Sequence, residues 1–525
     1  MLRDGKIWIA NTESSSPLYL LPKMANRHGL IAGATGTGKT ITLKVLAESF
    51  SDMGVPVFLA DVKGDIAGML EAGVDSDNMQ ERIKRFGLAE HGFDYHKYPT
   101  TLWDVFGKKG IQVRTTITEM GPLLLSRILG LNDTQSSILS IIFKIADESN
   151  LALIDTKDLK AMLNYVAENN KEFEADYGLL NKQSIGAIQR AVVALELEGG
   201  DVFFGEPALD IRDWFTTGEN GRGMIHILDS QSLVNNGTLY STFLLWMLSE
   251  LFEIMPEVGD LDKPKMVFFF DEAHLLFKDT PKSLLDKIEQ VVKLIRSKGI
   301  GVYFVTQNPR DIPDGVLAQL GNKVQHALHA YTPSDQKAVK AAADSFRENP
   351  AFKTADVIEA LGTGEAVVSF LQEDGTPSIV EKAFILPPQS KMGGIDDGTR
   401  DAAIKGSVLY TRYANAVDPE SADELLERMG VEKAQAEEQA KAAEAAAKQQ
   451  AKEEAAAAKA EAREKEKEAN RRKRAAKSVG TTVAGTVGRE VGKKVGKQLG
   501  GKFGQTLGGN TGAQLFRGIL NTLLK

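Results

Sequence analysis

The chain has 525 residues, a formal net charge of −8 and a hydrophobic content of 42%, which is enough for a large core and two to four domains. It has no cysteine, which excludes disulfides, iron–sulfur clusters, thiolate zinc sites and thiol catalysis. It contains no run of 18 apolar residues, and its first 20 residues lack the apolar core of a signal peptide. These features predict a cytoplasmic protein without a membrane span.

The charge is distributed unevenly along the chain. Residues 433–477 carry a net charge of +4 and residues 478–525 a net charge of +6, so residues 1–432 carry −18. An acidic body argues against broad, non-specific nucleic-acid binding. A basic tail on an acidic body indicates a separate partner for the tail, which the sequence does not identify.

Near the start, residues 33–40 read GATGTGKT and match the phosphate-loop pattern G-x-x-x-x-G-K-[S/T] at every fixed position. The predicted nucleotide-binding residues are Gly33, Ala34, Thr35, Gly36, Thr37, Gly38, Lys39 and Thr40. The glycines let backbone N–H groups curve around phosphates, Lys39 reaches the β- and γ-phosphates, and the Thr40 hydroxyl ligates Mg²⁺. A strand at His28–Ala32 and a helix at Ile41–Ala47 are the expected flanks.

Further along, strands are predicted to alternate with helices. Residues 1–85 read as strand, loop, helix and strand, and a buried strand over Val55–Ala60 ends at Asp61. Residues 86–200 read as a mostly helical insertion. Later strands are predicted at Met224–Leu228, Met266–Phe270, Val302–Thr306, Val324–Leu328 and Glu365–Phe370. This alternation predicts an α/β fold with a mostly parallel sheet buried on both faces.

A carboxylate pair follows the most apolar of these strands. Five apolar residues, Met266–Phe270, deliver Asp271 to the carboxyl edge of the sheet, where ligands of α/β folds bind. Asp271 is predicted to hold Mg²⁺ and Glu272 to act as the general base on the attacking water. The alternative is that both acids only begin a helix. For His274, a structural or coupling role is favoured over catalysis.

Three further features are candidates for the same site. Gln307, after the strand at Val302–Thr306, is placed to sense the γ-phosphate or orient water, or else to cap the strand end. Arg296 is a candidate arginine finger toward a neighbouring subunit, or a solvated cation at a helix C-terminus, and Arg310 is a second candidate. The loop Asp61–Asp65 either faces nucleotide or substrate or is a simple turn.

The last part of the chain has low complexity. Residues 433–477 are rich in Ala, Glu, Lys, Gln and Arg without an apolar seam, which predicts an exposed helix or spacer. From residue 478 to 512 a small residue recurs at every fourth position. Three alternatives remain for this basic tail, 478–525: disorder when free, an interaction or oligomerisation helix, and membrane-surface contact.

Taken together, these residues resemble the HerA–FtsK superfamily of P-loop ATPases, and in particular the bacterial HerA-like helicase family. The segments that carry the resemblance are His28–Thr40, Asp61–Asp65, Phe270–His274, Arg296–Pro309 and Ser407–Leu426. The resemblance covers about residues 1–430. It implies a RecA-like ATPase core in two parts, residues 1–85 and 201–390, followed by a C-terminal helical element over residues 391–432.

The resemblance also implies an activity and a set of roles. It implies ATP and Mg²⁺ as cofactors, assembly into a hexameric ring with ATP bound between subunits, and translocation or unwinding of DNA. The residue roles it implies are nucleotide and metal binding for Lys39 and Thr40, metal binding for Asp271, base for Glu272, sensor for Gln307, and action in trans for an arginine in the Arg296 region.

One departure concerns the partner. Archaeal HerA carries an N-terminal β-barrel that docks a nuclease, and only 32 residues precede the phosphate loop here. A nuclease partner is therefore left open. Two other functions stay open beside the DNA motor: an ATPase acting on protein substrates in a secretion or conjugation complex, and a scaffold that uses ATP as an assembly switch. Intact Lys39 and Glu272 argue against the scaffold.

Overall fold

The structure is a computed structural model that describes residues 1–235, 237–278 and 282–476. The pattern of small residues predicted as a tail over 478–525 lies outside these residues. The described residues divide into two units, Met1–Gly430 and the part of Val431–Lys525 that ends at residue 476.

A single mixed sheet runs through the first unit. Its strands are β1 Leu2–Arg3, β2 Lys6–Thr12, β3 Pro17–Leu20, β4 Gly29–Ala32, β5 Val57–Asp61, β6 Thr100–Asp104, β7 Ile111–Gln112, β8 Ile225–Asp229, β9 Met266–Phe270, β10 Ile300–Thr306, β11 Asn322–Gln325, β12 Glu365–Ser369 and β13 Glu381–Ile385. Their order is β1-β2-β13-β12-β11-β4-β10-β9-β5-β8-β6-β7, and β3 pairs with β2. From β11 to β7 every neighbouring pair is parallel, whereas β12, β13 and the first three strands pair antiparallel.

The helices of the described residues fill the connections. They are α1 Lys39–Asp52, α2 Asp77–Phe86, α3 Ile117–Ile128, α4 Asp133–Glu148, α5 Thr156–Glu168, α6 Asn170–Tyr177, α7 Lys182–Leu197, α8 Gly200–Phe203, α9 Gly237–Ile254, α10 His274–Phe277, α11 Lys282–Ile295, α12 Asp314–Leu317, α13 Pro333–Asp344, α14 Thr354–Ala360, α15 Asp397–Gly406, α16 Tyr410–Tyr413 and α17 Ala422–Ala476. Short 3-10 turns join several of them.

The central strands are buried on both faces, as their continuous apolar runs predict. Along β9, Phe268 and Phe270 pack into a core that includes α9 and the helices between residues 117 and 197. Phe269 points the other way, into a core shared with α1. Because alternate residues of one strand enter opposite cores, the sheet forms a middle layer between helices. The α/β fold class with a mostly parallel sheet is confirmed.

The block over residues 86–200, which is predicted to be mostly helical, also contains strands in the structure. Residues 86–200 contain the helices from α3 to α7, but strands β6 and β7 come first. Strand β6 pairs with β8, and β7 pairs with β6 at the edge of the sheet. The sequence of β6, TTLWD, has only two large apolar residues, so its pattern is too short to separate from a loop. Its Trp103 is nevertheless fully buried.

Within the first unit, α16 of the C-terminal helical element packs near the edge strands. Tyr413 in α16 is fully buried, and its ring meets that of Trp103 with centroids 5.7 Å apart. Arg114 donates from Nη1 to the Tyr413 carbonyl over 2.9 Å. This pairing ties the segment after residue 390 to the edge strands.

In the second unit, α17 continues with exposed side chains through residue 469. Ion pairs one helical turn apart join Glu444 to Lys448 over 2.7 Å and Glu461 to Lys465 over 2.6 Å. Across the described part of the chain, every helix is too short or too polar to span a bilayer.

Candidate nucleotide site

The phosphate loop lies at the carboxyl edge of the sheet, between β4 and α1. A Cβ at Gly33 would come within 2.5 Å of the His326 Cβ, and Gly38 has φ +115° at the start of α1. Both positions therefore require glycine. The amide of Ala34 donates to the Ala327 carbonyl over 2.8 Å, and so joins the loop to the residues that follow β11.

The Lys39 side chain folds back and contacts the backbone of the phosphate loop. Its Nζ donates to the Gly33 carbonyl over 2.6 Å and to the Ala34 carbonyl over 3.0 Å, and the residue is 6% exposed. Burial, with a smaller contribution from the nearby cation of Lys63, lowers the pKa of the Lys39 amine. The amine thus lies in the concave side of the loop, where the phosphate-loop motif predicts it.

Strand β9 places the carboxylates at the same edge. The amide of Glu272 donates to Oδ1 of Asp271 over 2.9 Å, and the Tyr240 hydroxyl donates to the Asp271 carbonyl over 2.9 Å. Both carboxylates are more than nine-tenths buried. Burial first, and the neighbouring Glu272 second, raise the pKa of Asp271 to about 7. A cation beside a buried carboxylate of this kind stabilises its charged form.

Around Glu272, three polar side chains converge on one carboxylate. Gln307 donates from Nε2 to both oxygens, over 3.3 and 3.4 Å. Lys63 Nζ lies 3.7 Å from Oε1, and His274 Nδ1 lies 3.3 Å from Oε2. Glu272 itself has φ +48°, a left-handed backbone conformation that is uncommon for a side chain of this size. The carboxylate is therefore held in a defined direction.

The order of the strands explains this convergence. Strand β10 lies between β4 and β9, so the residue that follows it emerges between the phosphate loop and Glu272. That residue is Gln307, which is exposed on this edge. On the other side of β9, strand β5 delivers the loop Asp61–Asp65. The structure thus brings Gln307 and Lys63 to the carboxylate from opposite sides.

The two arginine candidates lie at opposite ends of β10. Arg296 precedes the strand, at the amino edge, and its Nη2 lies 3.5 Å from Oδ1 of Asp260. Since β10 has seven residues, about 20 Å of strand separates Arg296 from the edge that carries the phosphate loop. Arg310 follows the strand, exposed on the same edge as the loop. Within one chain, Arg296 is not at the nucleotide site.

The donors at the site fit Mg²⁺ with nucleotide. The Asp271 carboxylate and the Thr40 hydroxyl are hard oxygen ligands, and Mg²⁺ in nucleotide sites takes one or two protein oxygens with phosphates and water. Within residues 1–235, 237–278 and 282–476 no cluster of three or more His, Cys, Asp or Glu side chains forms a metal cage. The glycines and the buried Lys39 have the form that a phosphate-binding loop requires.

Some contacts at the site could not be predicted from motifs. His326 packs on Gly33, and its ring nitrogens pair with the Thr42 hydroxyl over 2.8 Å and the Glu365 carbonyl over 2.9 Å. Burial lowers the pKa of His326 to about 4, so it supports the loop as a neutral ring. The sequence places His326 only inside a predicted strand, Val324–Leu328, whereas β11 ends at Gln325, and the role of His326 depends on β11 lying beside β4.

A phosphate loop that opens a helix, with an Asp-Glu pair at the end of a buried strand two places away, defines a P-loop α/β protein with the elements of a nucleotide-hydrolysing site. A family model described as helicase HerA-like C-terminal matches residues 6–511. The chain belongs to this HerA-like helicase family.

Relatives of known name are distant. The chain is 23% identical over 374 residues to the DNA double-strand break repair helicase HerA of Sulfolobus acidocaldarius. The alignment covers 70% of this chain and 66% of that protein. It is 25% identical over 358 residues to the protein of the same name from Sulfurisphaera tokodaii, which covers 65% of this chain and 62% of the relative. The chain thus spans slightly less than two thirds of these relatives.

Comparison with solved structures found partial matches at low identity. The bacterial conjugative coupling protein TrwBdeltaN70 is 16% identical with a TM-score of 0.48, covering 75% of this chain and 91% of that one. VirB4 of Thermoanaerobacter pseudethanolicus is 16% identical with a TM-score of 0.46, and the match covers 76% of this chain and 99% of that one. A further structure is TrwB in complex with ADP and Mg²⁺, at 15% identity and a TM-score of 0.47, covering 74% and 90%.

Proposed function

We propose that this chain is an ATP-hydrolysing, ring-forming motor of HerA type that translocates or unwinds DNA. The observation that carries the hydrolytic part is the Glu272 carboxylate, which is buried, contacted on both oxygens by Gln307, and located on the edge that holds the phosphate loop. The support for DNA is family membership and the names of the two HerA relatives.

In this proposal each residue has one task. Residues 33–40 bind the phosphates, Lys39 leaves the loop carbonyls to pair with phosphate oxygens, and Thr40 and Asp271 hold Mg²⁺, which offsets phosphate charge when bound. Glu272 accepts the proton of the attacking water, and Gln307 holds that carboxylate and the water in line. Since Arg296 lies at the opposite edge, its proposed role requires a neighbouring subunit of the ring.

The proposal is tested by the rate of ATP hydrolysis with and without double- or single-stranded DNA, at a stated salt concentration. We expect DNA to stimulate turnover and binding to weaken as salt rises. Lys39→Ala should abolish nucleotide binding, whereas Glu272→Gln should retain binding and lose turnover by about 10²- to 10⁴-fold. Glu359→Gln, an exposed glutamate on α14, is the matched control.

Different outcomes identify which part fails. Normal turnover by Glu272→Gln would remove the base assignment. Hydrolysis without stimulation by DNA and without salt-dependent DNA binding would remove the DNA motor and leave the protein-substrate alternative. Particle size with ATP, for the full chain and for a chain ending at residue 432, tests the proposed hexamer and whether the later residues contribute to it.

A further inference from the structure

We infer that Lys63 is a positioning residue for Glu272, and that Gln231 holds Lys63 in place for this task. The inference deepens the proposed function and rests on it, since it concerns the residue proposed as the base of ATP hydrolysis. It is carried by the geometry of two neighbouring loops at the carboxyl edge of the sheet.

The first observation is the placement of Lys63. Strands β5 and β9 are parallel neighbours with Ala60 opposite Phe270, so the residues that follow them leave the sheet side by side. Lys63 Nζ reaches 3.7 Å from Oε1 of Glu272. The Glu272 side chain is 9% exposed and that of Lys63 is 38% exposed, so the lysine reaches the buried carboxylate from the solvent side.

The second observation is that the turn carrying Lys63 is fixed. The Asp61 carboxylate accepts the amides of Lys63 over 3.2 Å, Gly64 over 2.7 Å and Ile66 over 3.0 Å. Three backbone donors on one buried carboxylate leave the turn little freedom. The Lys63 side chain therefore starts from a defined position.

The third observation is the contact with Gln231, which follows β8. Its Nε2 donates to the Lys63 carbonyl over 2.7 Å, and its Oε1 accepts from Lys109 Nζ. Because a cation occupies the oxygen, the amide must present its nitrogen to Lys63. Lys109 Nζ in turn lies 3.9 Å from Oδ2 of Asp229. Lys109 thus orients the Gln231 amide on one side, and on the other side Gln231 holds the loop Asp61–Asp65, which we call the lysine loop.

Glu272 is then held from two directions. Strand β9 lies between β10 and β5, and these strands deliver Gln307 and Lys63 respectively. A general base must direct one lone pair at water, so anchoring its carboxylate from both sides reduces the directions it samples. An ion pair with one partly exposed member contributes little to folding stability. Losing Lys63 should therefore change catalysis more than stability.

The test uses the full chain, with kcat and KM for Mg-ATP, the Kd of a fluorescent ATP analogue, and the thermal midpoint of each variant. We expect Lys63→Met to lower kcat by about 10-fold, with KM and Kd changed by less than about 3-fold. Lys63→Arg should recover kcat to within about 3-fold of wild type. Gln231→Ala should lower kcat by about 3-fold with the same separation from KM.

The matched control is Lys108→Met, an exposed lysine on the loop after β6 at the same edge, which should keep wild-type kcat and KM. A Lys63→Met protein that turns over within about 2-fold of wild type overturns the inference, as does an equal loss of affinity or a failure of Lys63→Arg to recover kcat. If wild type binds the analogue but hydrolyses no ATP, the proposed function fails first and the inference with it.

Discussion

Gln307 donates from its Nε2 to both carboxylate oxygens of Glu272, over 3.3 and 3.4 Å, although 35 residues separate them in the chain. The contact exists because β10, which ends one residue before Gln307, pairs in parallel with β9, which ends two residues before Glu272. The same strand pairs with β4 on its other side, so Gln307 lies between the carboxylate and the phosphate loop.

Gln307→Ala should therefore lower turnover more than nucleotide affinity. We expect kcat to fall by roughly 10- to 100-fold, less than the loss of the base itself, with Kd for the nucleotide within about 3-fold of wild type. Steady-state kinetics and binding of a fluorescent nucleotide measure both. Gln336→Ala, an exposed glutamine on α13, is the control. Unchanged kcat in Gln307→Ala would contradict a sensor role and leave a strand-end cap.

Gly64→Ala tests the contact between Gln231 and the lysine loop. Gly64 has φ +77°, and an added Cβ would lie 1.7 Å from the Gln231 Nε2, so the amide must leave the Lys63 carbonyl. Gly92 has a similar φ of +74° with nothing within 4 Å, so Gly92→Ala carries the backbone strain alone. Each substitution should cost about 1 kcal/mol of unfolding free energy from that strain.

The two alanine variants should differ in catalysis. We expect Gly64→Ala to lower kcat by about 3-fold, as Gln231→Ala does, while Gly92→Ala keeps the wild-type value. Thermal midpoints and kcat measured on the same preparations separate the two effects. Equal kcat values in both variants would show that the Gln231 contact is not needed for turnover.

Two buried histidines predict loss of stability in mild acid. His28 Nε2 contacts the Val292 carbonyl over 2.8 Å and Nδ1 accepts the Val302 amide over 3.1 Å. His226 Nδ1 accepts Trp103 Nε1 over 3.1 Å. Each ring must be neutral to accept such a bond. Burial chiefly lowers the pKa of His28 to about 4 and that of His226 to about 3, from an ordinary 6.5.

The sign of the pH dependence follows from these directions. Above about pH 6.5 both rings are neutral in the folded and unfolded chains, and the stabilisation is complete. As pH falls toward the pKa values of the folded protein, the unfolded chain binds protons that the folded chain does not bind, so the free energy of unfolding decreases. His226→Gln should reduce this slope by up to about 1.4 kcal/mol per pH unit in urea unfolding. Exposed His329→Gln controls for the substitution itself, and an unchanged slope in His226→Gln would contradict the assignment.

Local signals in the sequence predicted the family and the fold class, and they predicted Asp271 at the carboxyl edge of the sheet, while the roles of the site residues stay predictions. The phosphate loop and the residues after Met266–Phe270 each combine a motif with an apolar strand, so one short window contains the whole signal. The sequence does not predict β13, because its polar residues Glu381 and Lys382 obscure the apolar pattern and its pairing with β2 joins residues more than 360 positions apart.

The contacts of Lys63, Gln231 and His326 could not be predicted for the same reason. Each depends on which strands are neighbours, and the sheet order places β5 beside β8 and β11 beside β4 without any periodic signal in the chain. A motif that follows a strand locates its residues at the carboxyl edge of the sheet but does not order them along that edge. The sequence therefore predicts which residues lie at the carboxyl edge of the sheet, whereas the strand order determines which of their side chains contact Glu272.

Arg296 lies at the amino edge of the sheet in its own chain, so its proposed action in trans predicts complementation between subunits. Rings of Arg296→Ala and rings of Glu272→Gln should each be inactive. When the two variants are mixed before assembly, an Arg296→Ala subunit keeps its Glu272 and can receive Arg296 from a Glu272→Gln neighbour. Random assembly in equal amounts completes about a quarter of the interfaces, so turnover should approach that fraction of wild type.

The control mixture is Lys39→Ala with Glu272→Gln. Both lesions belong to the nucleotide site of one subunit, so no interface combines an intact loop with an intact base, and mixing should restore nothing. Replacing Arg296→Ala by Arg310→Ala in the first mixture tests the arginine that lies at the same edge as the loop. Recovery with Arg310→Ala and none with Arg296→Ala would transfer the trans role to Arg310, because only a residue contributed across an interface can be supplied by a neighbour.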